Sequence, residues 1–196
     1  MPGSLSVDVR IQIDDKEFRR LINSQRFVPV FNKHMSRQYL SVGEYAKRLI
    51  RKQIDSDDYA PLGVWQYIKG NSVVLRHTGA LRDGFTYRFI RYGSGAVVGI
   101  QVKPTGTHSS GLSMEKIAEI LHNGTAFAPT PEQRMTVAIQ AAAAGAPPPI
   151  GPKKDIWVIP PRPFMRDALL SEQFVSRVIQ QSHRALTRTF AELKRS

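Results

Sequence analysis

The chain has 196 residues, 41% of them hydrophobic, no cysteine and a formal net charge of +12. The missing cysteine excludes disulfides, a thiolate nucleophile and cysteine-ligated zinc or iron–sulfur centres. No run of about 18 apolar residues is present, so no membrane span is expected, and Met1-Pro2-Gly3-Ser4 does not read as the start of a secretory leader. The positive charge points to nucleic acid or an acidic surface as partner. The cations are spread over the whole length, however, with no run of five or six like charges.

Leu5, Val7, Val9, Ile11 and Ile13 alternate with polar residues, the period of a half-buried strand. Asp14 or Asp15 can cap a short helix through Asn23. Pro29 interrupts, and a longer helix is expected from Val30 to Ile54, with Phe31, Met35, Tyr39, Val42, Ala46, Leu49 and Ile50 at spacings of three and four. Lys47, Arg48, Arg51 and Lys52 sit near its end, where cations complement the helix dipole. Gly43 weakens its middle and marks a candidate break. An acidic turn at Asp55–Asp58 then enters a long loop carrying Tyr59, Pro61, Leu62, Trp65 and Tyr67. Loops of this length inside compact domains are functional or disordered, and its aromatics argue against plain disorder.

Thr78-Gly79 turns the chain into a Leu81-Arg82 corner. Phe85, Tyr87 and Phe89 form one face of a strand, Gly93-Ser94-Gly95 is a hairpin turn, and Ala96 to Val102 returns, with Gly99 at a bulge or close approach. Ser113 caps a helix that Asn123-Gly124 ends. Thr130-Pro131 opens another, stopped by Gly145 and the Pro147-Pro148-Pro149 run. A strand from Asp155 to Ile159 leads to the rigid corner Pro160-Pro161-Arg162-Pro163-Phe164. The last helix, to about Lys194, shows the stripe Val175, Ile179, Ser182, Leu186, Phe190 and Leu193.

Chemistry finds little purchase here. The histidines (34, 77, 108, 122 and 183) fall in different elements without metal-ligand spacing. Asp55, Asp57 and Asp58 lack the glycine and glutamate that complete a calcium loop. No glycine-rich turn leads through Lys-Ser/Thr into a helix as a phosphate cradle does. His77 beside Thr78 has no third member for nucleophilic catalysis. The aromatic strand could stack bases, but a spacing of two favours a core face. No catalytic, cofactor-binding or metal-binding residue is named. A small hydrolase would need a pocket of converging polar groups, and none can be named.

Four segments, in order, resemble one family, the phage virion morphogenesis and tail completion proteins. Tyr59-Ala60-Pro61-Leu62 is similar to their Trp-x-Pro-Leu loop, with Tyr for Trp. Arg76-His77-Thr78-Gly79-Ala80-Leu81-Arg82-Asp83-Gly84-Phe85-Thr86-Tyr87 resembles their Asp-Thr-Gly-x-Leu-Arg-x-Ser-Ile-x-Tyr, with Gly84-Phe85 for Ser-Ile. Ile117-Ala118-Glu119-Ile120-Leu121-His122-Asn123-Gly124 looks like their Tyr-Ala-x-Ile-His-x-x-Gly, with Leu121 interposed. Ile159-Pro160-Pro161-Arg162-Pro163-Phe164-Met165 resembles their Ile-Pro-x-Arg-Pro-Phe-Leu corner.

The resemblance implies one α+β domain over 1–196, with a small, mostly antiparallel sheet packed by helices. A long loop, a helical and Pro-rich arm inserted at 125–152 and a long C-terminal helix complete it. It implies no enzyme and no cofactor. The implied role is structural: completing or terminating the tail in the virion neck, after assembly in the host cytoplasm. Implied partners are further copies in a hexameric ring, the tail tube protein and the head connector or stopper proteins, near packaged DNA and with no membrane. The candidate assembly residues are Tyr59, Pro61, Leu62, Trp65, Tyr67, Thr78, Gly79, Leu81, Arg82, Arg162 and Phe164. The competing expectation is a basic nucleic-acid-binding protein.

Overall fold

A computed structural model describes residues 16, 20, 22–56, 79–93, 95–108, 111–143 and 157–195. The strand expected at 5–13, most of the short helix at 14–23, the loop with Tyr59, Pro61, Leu62, Trp65 and Tyr67, Thr78, and the proline run at 147–149 lie outside these residues. The described elements are α1 (Phe27–Ser56), α2 (Ala80–Asp83), β1 (Phe85–Tyr92), β2 (Ala96–Pro104), α3 (Met114–Asn123), β3 (Thr125–Phe127), α4 (Pro131–Ala143), β4 (Trp157–Ile159), α5 (Phe164–Leu169) and α6 (Glu172–Lys194). The fold class is α+β, as expected.

The contacts gather into two compact units: 1–49, 86–103 and 168–196 form the first, and 50–85 with 104–167 form the second. The described strands make two two-stranded ribbons, β1–β2 and β3–β4.

In the first unit, α1 starts earlier than expected and is unbroken. Pro29 falls in its first turn, where the missing N–H has no intrahelical acceptor to lose. Met35, Tyr39, Val42 and Ala46 of α1 pack with Val97 of β2 and with Phe174, Val178 and Ala185 of α6. Gly43 is no break: a Cβ there would stand 2.6 to 2.7 Å from three carbons of the Tyr87 ring. The glycine is the seat on which β1 rests. Asn32 fixes the hairpin from below, donating to Gly95 O at 3.1 Å and accepting from Val97 N–H at 2.7 Å. Gly95, at φ 82°, closes the expected turn with its N–H donating to Tyr92 O. Along β2 the core-facing residues are Val97, then Ile100 and Val102. The alternation therefore shifts by one near Gly99, over which the Ile90 side chain lies.

The face of α6 keeps Ser182 and Leu193 of the expected stripe and otherwise differs from it. Phe174, Val178, Gln181, Ser182, Ala185, Thr189 and Leu193 are buried, whereas Ile179 is 50% exposed. Small and polar residues occupy the buried face because each is locally satisfied or allows close approach. Thr189 Oγ1 donates to Ala185 O at 2.8 Å, and Ser182 Oγ shares a hydrogen bond with Tyr39 Oη at 2.9 Å.

In the second unit, Ser113 Oγ accepts from Lys116 N–H to cap α3. Thr130 and Gln133 cap α4 reciprocally, side chain to backbone in both directions. β3 and β4 pair antiparallel, Thr125 opposite Ile159 and Phe127 opposite Trp157. Within the stretch 125–152, β3 is followed by α4. Met135 and Ile139 of α4 are exposed.

Candidate functional site

The described residues singled out by resemblance, Gly79, Leu81, Arg82, Arg162 and Phe164, lie in the second unit. Gly79 takes φ 72°, a conformation that favours glycine, at the N-cap of α2. Leu81 is buried beneath that turn. Arg82 points outward and grips Asp55 of the last turn of α1 with two bonds, Nε to Oδ1 at 2.9 Å and Nη2 to Oδ2 at 3.1 Å. An aspartate near a helix C-terminus opposes the dipole, and this fork offsets it. Asp55 and Asp83 together hold the Arg82 guanidinium above its usual pKa, the Asp55 hydrogen bond first among the causes. Arg51 donates to Arg82 O and stands 3.5 Å from Asp83. These are ion pairs at a turn, not a cation site. Arg51 and Lys52 lie near the end of α1, one turn before its last residue, Ser56.

Gly84 O accepts from both the N–H and the Oγ1 of Thr105. Phe85 then meets Phe164 edge-on at 6.4 Å, and His122 meets the same ring at 6.3 Å. Arg162 N–H donates to Leu121 O at 2.7 Å. Gly124 lies against the corner so closely that a Cβ would stand 2.7 Å from Ile159 O and 2.8 Å from Pro161 N. Burial pushes the His122 imidazole pKa down, with Arg166 adding to the effect.

This placement corrects part of the surface expectation. Leu81, Arg162 and Phe164 are buried, Arg162 at 2% and Phe164 at 0% exposure. Within this chain they hold the joint between β4 and α5 and the floor under α3. They are not presented as anchors. Gly79 and Arg82 are half-buried, Arg82 with 37% of its side chain exposed.

A second feature escaped the sequence reading and lies in the first unit, where α1 and α6 run antiparallel. The pairing order shows this: Lys33 and His34 meet Glu192, Tyr39 meets Ser182, and Tyr45 meets Arg177. Arg177, Arg184, Arg188 and Arg195 follow one another at spacings of seven, four and seven along α6 and its C-cap. At 3.6 residues per turn they fall within an arc of about 40°. Arg184, Arg188 and Arg195 are exposed. Among the described residues none of these three has an acidic side-chain partner. Arg177 lies 5.9 Å from the Tyr45 ring centroid, and Arg48 of α1 lies 5.6 Å from the same centroid. At the other end, Lys33 and His34 hold Glu192 at 2.9 Å each. The Lys33 bond, then the His34 bond, depress the Glu192 carboxyl pKa. A pocket of about 360 Å³ opens there, lined by His34, Arg188, Ala191, Glu192 and Arg195. The signal in the sequence was the periodicity of the arginines, which a search for contiguous like charges does not detect.

Among the described residues no group of three His, Asp or Glu is placed to hold a metal ion. No helix among them is long and apolar enough to cross a membrane. Comparison with family models, with curated proteins and with solved structures finds no match to this chain.

Proposed function

We propose that the chain is a structural component of a phage neck, completing or terminating the tail and joining it to the head connector as a ring of its own copies. One observation carries the reading. Three segments that resemble the tail completion family, far apart in sequence, form one packed cluster through Phe85, Leu121, His122, Gly124, Arg162 and Phe164. The test is deletion of the gene in its phage, with the lysate imaged by negative-stain electron microscopy. DNA-filled heads beside unjoined or overlong tails are expected, and normally joined particles would sink the role. A nucleic-acid-binding protein is the second reading, favoured by the arginine row on α6.

A further inference from the structure

The arginine row is electrostatically incomplete. Arg48 and Arg177 both lie within about 6 Å of the Tyr45 ring centroid, whose π face attracts each guanidinium without neutralising it. From Arg177 to Arg195 the helix rises about 27 Å, the length of about eight base pairs. A straight, periodic row of this kind matches a partner whose negative charges are themselves periodic. Arginine suits phosphate because its fork donates two parallel bonds. Beside the row, α6 exposes Ser176, Gln180, Thr187 and Ala191. Small and polar side chains there can approach and hydrogen-bond phosphate oxygens. They offer no apolar group to insert into a lipid surface, which an interfacial helix requires. Glu192 is the one acid on this edge of α6, and Lys33 and His34 already hold it.

We propose that the α1–α6 face, centred on Arg184, Arg188 and Arg195, is a docking surface for the phosphate backbone of duplex DNA. The proposal rests on the nucleic-acid reading and is separate from ring formation. It locates contacts without base specificity, since nothing on the face reaches for base edges.

The test is fluorescence anisotropy of the full chain with a labelled 20-base-pair duplex, across 50 to 200 mM salt. Each phosphate contact contributes about 0.9 to the slope of log affinity against log salt. The triple variant Arg184→Gln, Arg188→Gln, Arg195→Gln should lower that slope by about 3 and weaken binding at least about 100-fold at 0.1 M salt. A charge-matched variant, Arg88→Gln, Lys103→Gln, Lys116→Gln, lies on neither helix and should stay within about threefold of the parent. Circular dichroism would confirm that both variants are folded. Equal weakening by the two variants would overturn the row as the site while leaving diffuse DNA binding intact. No duplex binding by the parent chain would overturn both the row and the nucleic-acid reading. Row-dependent binding to phosphatidylcholine–phosphatidylserine vesicles without duplex binding would overturn the choice of partner.

Discussion

Gly43→Ala offers a test whose sign the structure decides. On an isolated helix the change stabilises by about 1 kcal/mol, because alanine loses less backbone entropy than glycine. In α1 the new methyl would overlap the Tyr87 ring at Cγ, Cδ1 and Cδ2, all at 2.6 to 2.7 Å. That is not the tip of a flexible chain but the root of a ring. The ring is also engaged by Lys47, 5.9 Å from its centroid. Burial, then the charge and hydrogen bond of Glu44, raise its hydroxyl pKa. Overpacking of this kind costs about 1–3 kcal/mol, so a net loss of about 1 kcal/mol is expected. In a Tyr87→Ala background the obstacle is gone, and the same substitution should stabilise by about 1 kcal/mol. The double-mutant cycle should therefore give a coupling of about 2 kcal/mol. Urea unfolding followed by circular dichroism measures all four corners. Stabilisation by Gly43→Ala in both backgrounds would refute the seating of β1 on this glycine.

Three further outcomes follow from the second unit. Gly124→Ala should cost about 3 kcal/mol or more, since φ 71°, ψ 170° is glycine's territory and the Cβ meets backbone; a denaturation midpoint near the parent's would contradict this. Arg162→Ala should cost about 2–4 kcal/mol, because the side chain is buried; a folded, equally stable variant in thermal melts would show that the corner is not core. His122 has a folded pKa below its unfolded value near 6.5, so the unfolded chain binds more protons. Its contribution is fully present above about pH 6.5 and is lost as pH falls through the folded pKa; melting curves from pH 7.5 to 5 should show the decline, and His122→Phe should flatten it.

What could be read from the sequence was local. The caps at Ser113 and Thr130, the Gly93–Gly95 turn and the stripe of α1 all depend on neighbours within a few residues, and each lies where it was expected. On α6 hydropathy favours Val175, Ile179 and Leu186, but of the expected stripe only Ser182 and Leu193 are buried. Gln181, Ala185 and Thr189 complete the buried face with Phe174 and Val178, and Ser182 is bonded to Tyr39, 143 residues away. Gly43 looked like a weakness for the same reason: nothing near it in sequence announces Tyr87. The Arg162 corner was read as a presenting surface because prolines fix its geometry. The geometry is rigid, but it directs Phe164 inward onto Phe85 and His122.

That inversion changes where an assembly contact should be sought. A ring contact must use side chains that a single chain leaves exposed, and Arg162 and Phe164 are not among them. In the second unit the large exposed apolar residues include Met135 and Ile139 of α4 and Val158 of β4. Met135 and Ile139 are four residues apart and so share one face of α4. Their exposure costs little in a monomer, yet a pair on one face suits a hydrophobic contact at the centre of an interface. The double variant Met135→Asp, Ile139→Asp should therefore change monomer stability by no more than about 0.5 kcal/mol per site. Under the ring proposal it should also shift the assembly toward monomer in size-exclusion chromatography with light scattering. Arg162→Ala should weaken fold and assembly together. If the α4 variant unfolds, its face is core. If it folds and assembles like the parent, this face of α4 is not the ring contact.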